Sequence, residues 1–314
     1  MVIMKTETKQ CRLSLGAAFL SSLAILFFFA GLSGCSSAPK RPTEIFTERS
    51  IAVNQLNLAN QTANRGRFEE ALLLMEEARR LAVATDDPSL RIKTSIGRGN
   101  ILFSLGRHTE AFPEWESSAA EGDASGEPEL AALARIYTIR AKLVMLANEK
   151  NEGGTDADAV AEQYKAQLDR EIAIASSDSL ITAAGYAALG MAEKQMRRWP
   201  QAESAVQKSL DIHERALYFE EAAYDWFLIA SIRSMAGNYD PALAALEAAI
   251  QFDRRAENGY GLASSWQAMG DVYQKAGRAD ESHAAYRRAI DIYRAIRLNE
   301  RAEKLERQLN EAAR

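Results

Sequence analysis

A block of six residues recurs along this chain at intervals of forty residues. The block at Gly66–Ala71 returns at Gly106–Ala111, and the block at Arg197–Ala202 returns at Gly237–Ala242 and again at Gly277–Ser282. Each block lies between two stretches whose apolar residues follow the period of an amphipathic helix. Because a period of 20–50 residues is typical of stacked solenoids, the recurrence predicts a helix–turn–helix unit repeated along the chain.

The residue types inside each unit are those of close helix packing. A small residue lies at the helix crossing and a large residue lies one turn away, which lets two helix backbones approach. In the last unit these positions are Trp266, Met269, Gly270 and Tyr273 on the first helix, then Ser282, Tyr286 and Ala289 on the second.

This pattern resembles the tetratricopeptide repeat. The resemblance spans about residues 44–297 and implies an all-α, right-handed solenoid of about six repeats with a forty-residue period. The usual unit of the family has 34 residues, so the extra length here predicts longer helices and a longer connection. Residues 298–314 place Leu305 and Leu309 among many charges, and this pattern predicts a C-terminal capping helix, which a solenoid needs for solubility.

One repeat is less visible, since the interval from Gly106 to Arg197 is two periods plus eleven residues. The sequence predicts its first helix over 128–149, starting at Pro128, and its second helix over 156–175. The glycine-rich segment 151–155 is predicted to be a loop, with Thr155 and Asp158 as a capping box. The register inside this repeat stays open.

The first 34 residues differ from the rest of the chain. Lys5, Lys9 and Arg12 precede an apolar run over 13–32, and this order is typical of a secretory signal segment. Leu32–Cys35 then resembles the lipobox of bacterial lipoproteins. An uncleaved transmembrane helix is the alternative, because the apolar run is long enough to span a bilayer.

The lipobox resemblance implies a signal peptide at 1–34, lipidation of Cys35, and a lipidated tether at 35–43. A serine at position 36 resembles the signal for delivery to the outer membrane, facing the periplasm. Cys11 would leave with the signal segment, so no thiol would remain for a disulfide, a metal site or a nucleophile.

The net charge and the positions of the histidines argue against several classes of function. The net charge of −5 argues against nucleic acid as a partner, because phosphate binding needs a concentrated basic face. His108, His213 and His283 lie in different repeats without a ligand-spacing motif around them. We therefore expect solvated histidines, no enzyme, no metal and no cofactor.

The remaining candidate for a functional site is a binding surface. In the tetratricopeptide family the first helices line a concave groove, and the resemblance implies that a protein or peptide ligand binds there. Leu56 stands where the family's carboxylate clamp has a lysine, which argues against an acidic C-terminus as ligand. Trp226 is predicted to face the core. The groove positions carried over are Leu56, Asn60, Lys93, Asn100, Phe103, Tyr224, Phe227, Gln267, Asp271 and Lys275.

The sequence thus predicts a membrane-anchored periplasmic or envelope scaffold, which binds a protein or peptide partner in the assembly of an envelope complex. The alternative is an adaptor for peptidoglycan or for cell-wall remodelling enzymes. A contiguous apolar or asparagine-rich groove favours the scaffold, whereas a cleft with paired carboxylates would favour an enzyme.

Overall fold

A computed structural model describes residues 47–149 and 156–312, and within these ranges the chain forms thirteen α-helices and no strand. The signal segment, the tether and Cys35 lie outside the described residues. The predicted all-α solenoid is confirmed. In chain order the helices are α1 Glu48–Asn64, α2 Phe68–Ala84, α3 Pro88–Ser104, α4 His108–Ser125, α5 Pro128–Glu149, α6 Ala157–Ile174, α7 Ser179–Gln195, α8 Trp199–Ala216, α9 Phe219–Met235, α10 Tyr239–Arg255, α11 Gly259–Lys275, α12 Ala279–Ala295 and α13 Asn299–Ala312.

The forty-residue period comes from two equal halves. Most helices have 17 residues, and three residues connect each of these to the next helix. A residue with positive φ ends the helix, which releases the chain from the helical path. These residues recur every twenty positions, at Gly66, Asp86, Gly106 and Gly126, and again at Arg197, Leu217, Gly237, Glu257, Gly277 and Arg297.

The two helices of a repeat cross at a glycine. A Cβ atom on Gly270 would lie 2.5 Å from the Tyr286 ring, and one on Gly190 would lie 2.3 Å from Val206 Cγ2. Gly99 has the same relation to the Trp115 indole, at 2.5 Å. These contacts leave no room for a side chain, because real Cβ contacts are longer. The predicted role of Gly270 at the crossing is confirmed.

The third repeat is the irregular one. Its first helix, α5, has 22 residues, and the predicted bounds 128–149 are confirmed, while the second helix, α6, begins at Ala157. The carboxylate of Asp156 caps this helix by accepting from the Ala159 N–H at 3.2 Å. The predicted loop 151–155, and with it Thr155 of the predicted capping box, lies outside the described residues.

The C-terminal helix α13 covers the last repeat. Ala302 and Leu305 are buried in one apolar cluster with Tyr286 and Tyr293. The other side of the helix is charged, as the sequence predicts for a cap.

The solenoid also contacts itself across about one superhelical turn. Phe68, at the start of α2, meets Tyr260, at the start of α11, with ring centroids 5.3 Å apart and edge-to-face geometry. Arg65 pairs with Glu257 at 3.0 Å, and Asn64 donates to the Glu220 carboxylate. We call this contact the seam. It comprises Asn64, Arg65, Gly66, Phe68 and Ser104 on one side and Glu220, Glu257, Tyr260, Ile296, Leu298 and Arg301 on the other.

Candidate functional site

The first helices of the repeats line the inner side of the solenoid. Consecutive first helices contact one another, whereas consecutive second helices are spread apart over the described chain. The crowded side of a curved solenoid is its concave side. We call this side the inner face, and it is formed by α1, α3, α5, α7, α9 and α11.

The predicted groove residues lie on helices of the inner face, but their polar atoms have different neighbours. Asn60 is exposed. Asn100 accepts the Trp115 indole N–H at 3.2 Å. Gln267 accepts from the Tyr293 hydroxyl at 3.1 Å, and Asp271 accepts from the Tyr286 hydroxyl at 2.6 Å. Asn100, Gln267 and Asp271 therefore tie first helices to the second helices behind them.

The apolar members of the predicted groove are half-buried. Leu56 packs between two apolar clusters of the first repeat, and Phe103 stacks on His108 with ring centroids 4.6 Å apart.

Tyr224 and Phe227 form the aromatic centre of the inner face. Their rings stack with centroids 6.4 Å apart, and both side chains are half-buried. The Arg140 guanidinium, from α5, lies 4.2 Å from the Tyr224 centroid and 5.6 Å from the Tyr137 centroid. A cation over aromatic faces is attracted by the ring quadrupole, so Arg140 links the third repeat to the fifth.

A second cation lies on the same face. Lys194, near the end of α7, donates to the Ser231 hydroxyl at 3.1 Å, and burial lowers the pKa of this amine. Together with Arg140 it gives the inner face of the middle repeats two positive groups, of which Arg140 lies against aromatic rings. This combination suits an extended chain that offers carbonyl or carboxylate oxygens and apolar side chains.

Comparison with known families agrees with this architecture. Residues 182–217 and 220–295 match tetratricopeptide repeat families. These segments are tetratricopeptide repeats. No curated protein matches the chain.

Two solved structures share this fold over more than four fifths of this chain. A Rap protein complexed with competence and sporulation factor is 12% identical, with a TM-score of 0.52 over 85% of this chain and 76% of that chain. The tetratricopeptide repeat sensor of a signal transduction ATPase from Pyrococcus horikoshii is 13% identical, with a TM-score of 0.50 over 84% of this chain and 43% of that chain. At these identities the likeness shows the fold alone.

The interface between the fourth and fifth tetratricopeptide repeats contains a buried polar cluster. Asp225 accepts from Ser209 at 2.9 Å, and its other bond, at 2.7 Å, is to His213 Nδ1. The expectation of a solvated His213 is wrong, because only 5% of this residue is exposed. All three side chains are buried between packed helices, so the cluster joins neighbouring repeats and offers no open cleft to a substrate.

The next interface repeats this arrangement with other residues. Asp253, forty residues after His213, accepts from Ser265 at 3.1 Å and from Asn258 at 2.9 Å. Burial raises the pKa of Asp253 to about 7. The partners of Asp253 are a hydroxyl and an amide, whereas Asp225 bonds to an imidazole. The two interfaces therefore bury an aspartate at the same kind of position with different hydrogen-bond partners.

Sequence reasoning missed Arg140, Lys194 and Glu220. Arg140 lies in the third repeat, whose register could not be fixed from the sequence. When the third repeat is aligned with the fifth by a shift of 91 residues, Arg140 occupies the same helix position as Ser231. Lys194 lies on α7, a helix for which no groove residue was predicted. It occupies the same helix position as Ser234, forty residues later on α9. A comparison of aligned first helices would have found both, but Glu220 depends on the seam.

Trp226 only partly fits its predicted place in the core. It is half-buried, and its indole N–H donates to Glu214 at 3.2 Å. Among the residues that the structure describes, no cluster of three or more histidine, cysteine or carboxylate side chains is arranged to hold a metal ion. Within the same ranges, no helix combines the length and the apolar character that crossing a membrane requires.

Proposed function

We propose that this protein is a membrane-anchored scaffold of the bacterial envelope, which binds an extended polypeptide segment of a partner along its inner face. The anchor is the lipid on Cys35, and the membrane is the outer membrane, with the solenoid in the periplasm. The partner contributes to the assembly of an envelope complex.

The observation that carries this proposal is the make-up of the inner face at its centre. Tyr224 and Phe227 are large, half-buried aromatic side chains, and Arg140 lies over the Tyr224 ring. A second cation, Lys194, bonds to Ser231 on the same helix as the two rings. Aromatic rings that keep exposed area are common anchors in protein interfaces, since each buries a large area on a partner at small entropic cost. The exposed Asn60 adds an amide that can pair with an extended backbone.

The sequence supports the anchor. A basic start, an apolar run and the lipobox-like Leu32–Cys35 follow one another in the order that lipoprotein processing requires. A lipidated cysteine with several acyl chains anchors stably, because each buried methylene contributes about 0.8 kcal/mol.

The anchor is tested by Cys35→Ser in the full chain, with cell fractionation as the measurement. We expect the variant to leave the membrane fraction or to accumulate unprocessed. Cys11→Ser is the matched control and should fractionate like the parent. Unchanged membrane association of Cys35→Ser, with an intact N-terminus, would support the transmembrane alternative and contradict the lipid anchor.

The inner face is tested by crosslinking in cells followed by mass spectrometry of the captured proteins. We expect Tyr224→Ala with Phe227→Ala to remain folded and to lose the partner. The control is Tyr239→Ala with Phe252→Ala, which truncates a tyrosine and a phenylalanine that are also half-buried but lie on the second helix of the same repeat. If both pairs retain the same captured proteins, the binding surface is not the inner face.

A further inference from the structure

The seam is a packed contact with an apolar centre. Tyr260 and Leu298 pack against the cluster of the first repeat that contains Phe68. Arg301 also lies over the Tyr260 ring, at 5.1 Å from its centroid. Gly66 permits the closest approach, because a Cβ atom there would lie 3.0 Å from Ile296 Cδ1. Burial of rings and aliphatic groups gives the seam a favourable free energy of closure.

Charged and polar groups surround this centre. Arg65 pairs with Glu257 at 3.0 Å, and the Arg301 guanidinium donates to the Ser104 carbonyl at 3.1 Å. Exposed ion pairs contribute little stability. These contacts therefore contribute mainly to the alignment of the two edges, and the apolar centre supplies most of the free energy that holds the seam closed.

The closed seam coincides with a filled inner face. Arg140 of the third repeat lies against Tyr224 of the fifth repeat, 4.2 Å from its ring centroid. Asn64 of the first repeat bonds to Glu220 of the fifth. In the closed superhelix the side chains that would receive a partner are therefore occupied by the protein itself.

We propose that the seam is a clasp, which must open before a partner polypeptide reaches the inner face. This inference rests on the proposed function for the identity of the binding surface, but the opening itself is a property of the chain alone. Opening separates α2 from α11 and α13 and lengthens the superhelix, because outside the seam the repeats contact nearby repeats, such as the third and the fifth through Arg140 and Tyr224.

Glu220 makes the clasp sensitive to pH. Burial and, to a smaller extent, the neighbouring Glu221 raise the pKa of the Glu220 carboxyl to about 7. Asn64 from α1 and Arg140 from α5 favour the carboxylate, whereas Asp253 from α10 opposes it. In the open superhelix Asn64 moves away and water reaches the carboxyl, which returns toward its ordinary pKa of 4.5.

The direction follows from linkage. The closed form binds the Glu220 proton more tightly, so closure is favoured at low pH, and this advantage is lost as the pH rises from 4.5 through about 7. Between pH 5 and pH 8 the ratio of open to closed molecules should rise on the order of a hundredfold.

The chain offers a way to lock the clasp. A Cβ atom on Gly66 would lie 3.4 Å from Ile296 Cβ, close to the Cβ separation of a disulfide, about 3.5–4.5 Å. Gly66→Cys with Ile296→Cys should therefore form a disulfide that closes the seam. The positive φ of Gly66 is strained for a cysteine, and reduction of the disulfide provides the matched control, which can open.

Spin labels measure the opening directly. In the full chain with Cys11→Ser and Cys35→Ser, labels at Glu69→Cys and Glu303→Cys lie on exposed positions of α2 and α13, on opposite sides of the seam. We expect one short distance at pH 5 and a growing long-distance population at pH 8. Glu220→Gln should keep the short distance at both pH values. Labels at the exposed positions Ser204→Cys and Arg287→Cys, which do not cross the seam, should not respond.

The spin-label distances distinguish a seam that opens from a seam that stays closed. A single short distance at pH 5 and pH 8, or pH-dependent opening that persists in Glu220→Gln, would overturn the proton-linked clasp. The binding arm uses crosslinking in cells with Cys35 retained. There the Gly66→Cys, Ile296→Cys chain should capture no partner until it is reduced. Equal capture by the oxidised and reduced chains would overturn the need for opening.

The two proposals fail in different ways. If neither the parent nor the reduced chain captures a partner, the proposed function fails, while the spin-label distances still decide the clasp. If the parent captures a partner through Tyr224 and Phe227 but the locked chain does so equally well, the proposed function stands and the clasp fails.

Discussion

Two aromatic clusters, one in the second repeat and one in the fifth, differ in what surrounds them. The cluster of the second repeat is centred on Trp115, which is 2% exposed. Its indole N–H donates to the Ile96 carbonyl at 3.3 Å and to Asn100 at 3.2 Å, and Phe103, Phe112 and Tyr137 pack around it.

The cluster of the fifth repeat is centred on Tyr224 and Phe227, which keep exposed area. Their polar neighbour is the Arg140 guanidinium, and the Tyr224 hydroxyl donates to the Met191 sulfur at 3.6 Å. The comparison shows that the type of an aromatic residue does not by itself reveal its role. Burial and the quality of its polar contacts decide whether it holds the fold or is available to a partner.

The largest expected effect is at the buried cluster. Trp115→Ala should lower the free energy of unfolding by about 3–5 kcal/mol, because it removes a fully buried ring and leaves a cavity beside Gly99. The same change at the half-buried Tyr224 should cost about 1 kcal/mol. Denaturant unfolding of both variants checks the comparison, and equal losses would show that the two clusters do not differ in role.

The next effect is overpacking at the equivalent crossing in the sixth repeat. Gly270→Leu should cost about 1–3 kcal/mol, since its Cβ alone would lie 2.5 Å from the Tyr286 ring. The last repeat has a complete repeat on only one side, so we expect hydrogen exchange to show loss of protection confined to α11–α13. Lys275→Leu, on the exposed end of the same helix, should change stability by less than about 0.5 kcal/mol. Native protection in Gly270→Leu would mean that this crossing tolerates a side chain.

A further effect tests burial of a charge rather than of a ring. The pKa of Asp253 is raised by burial to about 7 from its ordinary 3.8, so the folded state binds its proton more tightly than the unfolded state. Stability should therefore be greatest at low pH and fall as the pH rises toward 7, by roughly 2–3 kcal/mol between pH 5 and pH 8.

Asp253→Asn is the matched variant for this pH effect. It keeps the hydrogen-bond acceptor toward Ser265 and removes the titrating group, so its unfolding free energy should vary less with pH than that of the parent. A decline of the same size in both proteins would assign the pH dependence to other groups, of which Glu220 at the seam is the first to examine.

Much of the fold could be predicted from the sequence because the repeat is local. A glycine such as Gly66 or Gly237 ends a helix within a few residues of the pattern that marks it, so helix existence and period follow from short stretches of chain. The third repeat departs from the period, since α5 has 22 residues. The position of Arg140 on its helix could therefore not be predicted from the forty-residue spacing.

The seam could not be predicted in the same way. Asn64 and Glu220 are 156 residues apart, and Arg301 and Ser104 are 197 apart. Whether such residues meet depends on the superhelical pitch, which sums small rotations over five or six repeats. His213 illustrates the same limit at one interface, because its burial depends on Asp225 in the following helix rather than on its own neighbours in sequence.

The central claim is that the inner face is the binding surface, and position-specific photo-crosslinking in cells tests it most directly. A photo-reactive residue is placed at Phe227 on the inner face or at Leu73 on the second helix α2, which is 74% exposed. We predict a discrete adduct from position 227, lost when Tyr224→Ala is added, and none from position 73. Adducts from position 73 alone, or equally from both positions, would contradict the account.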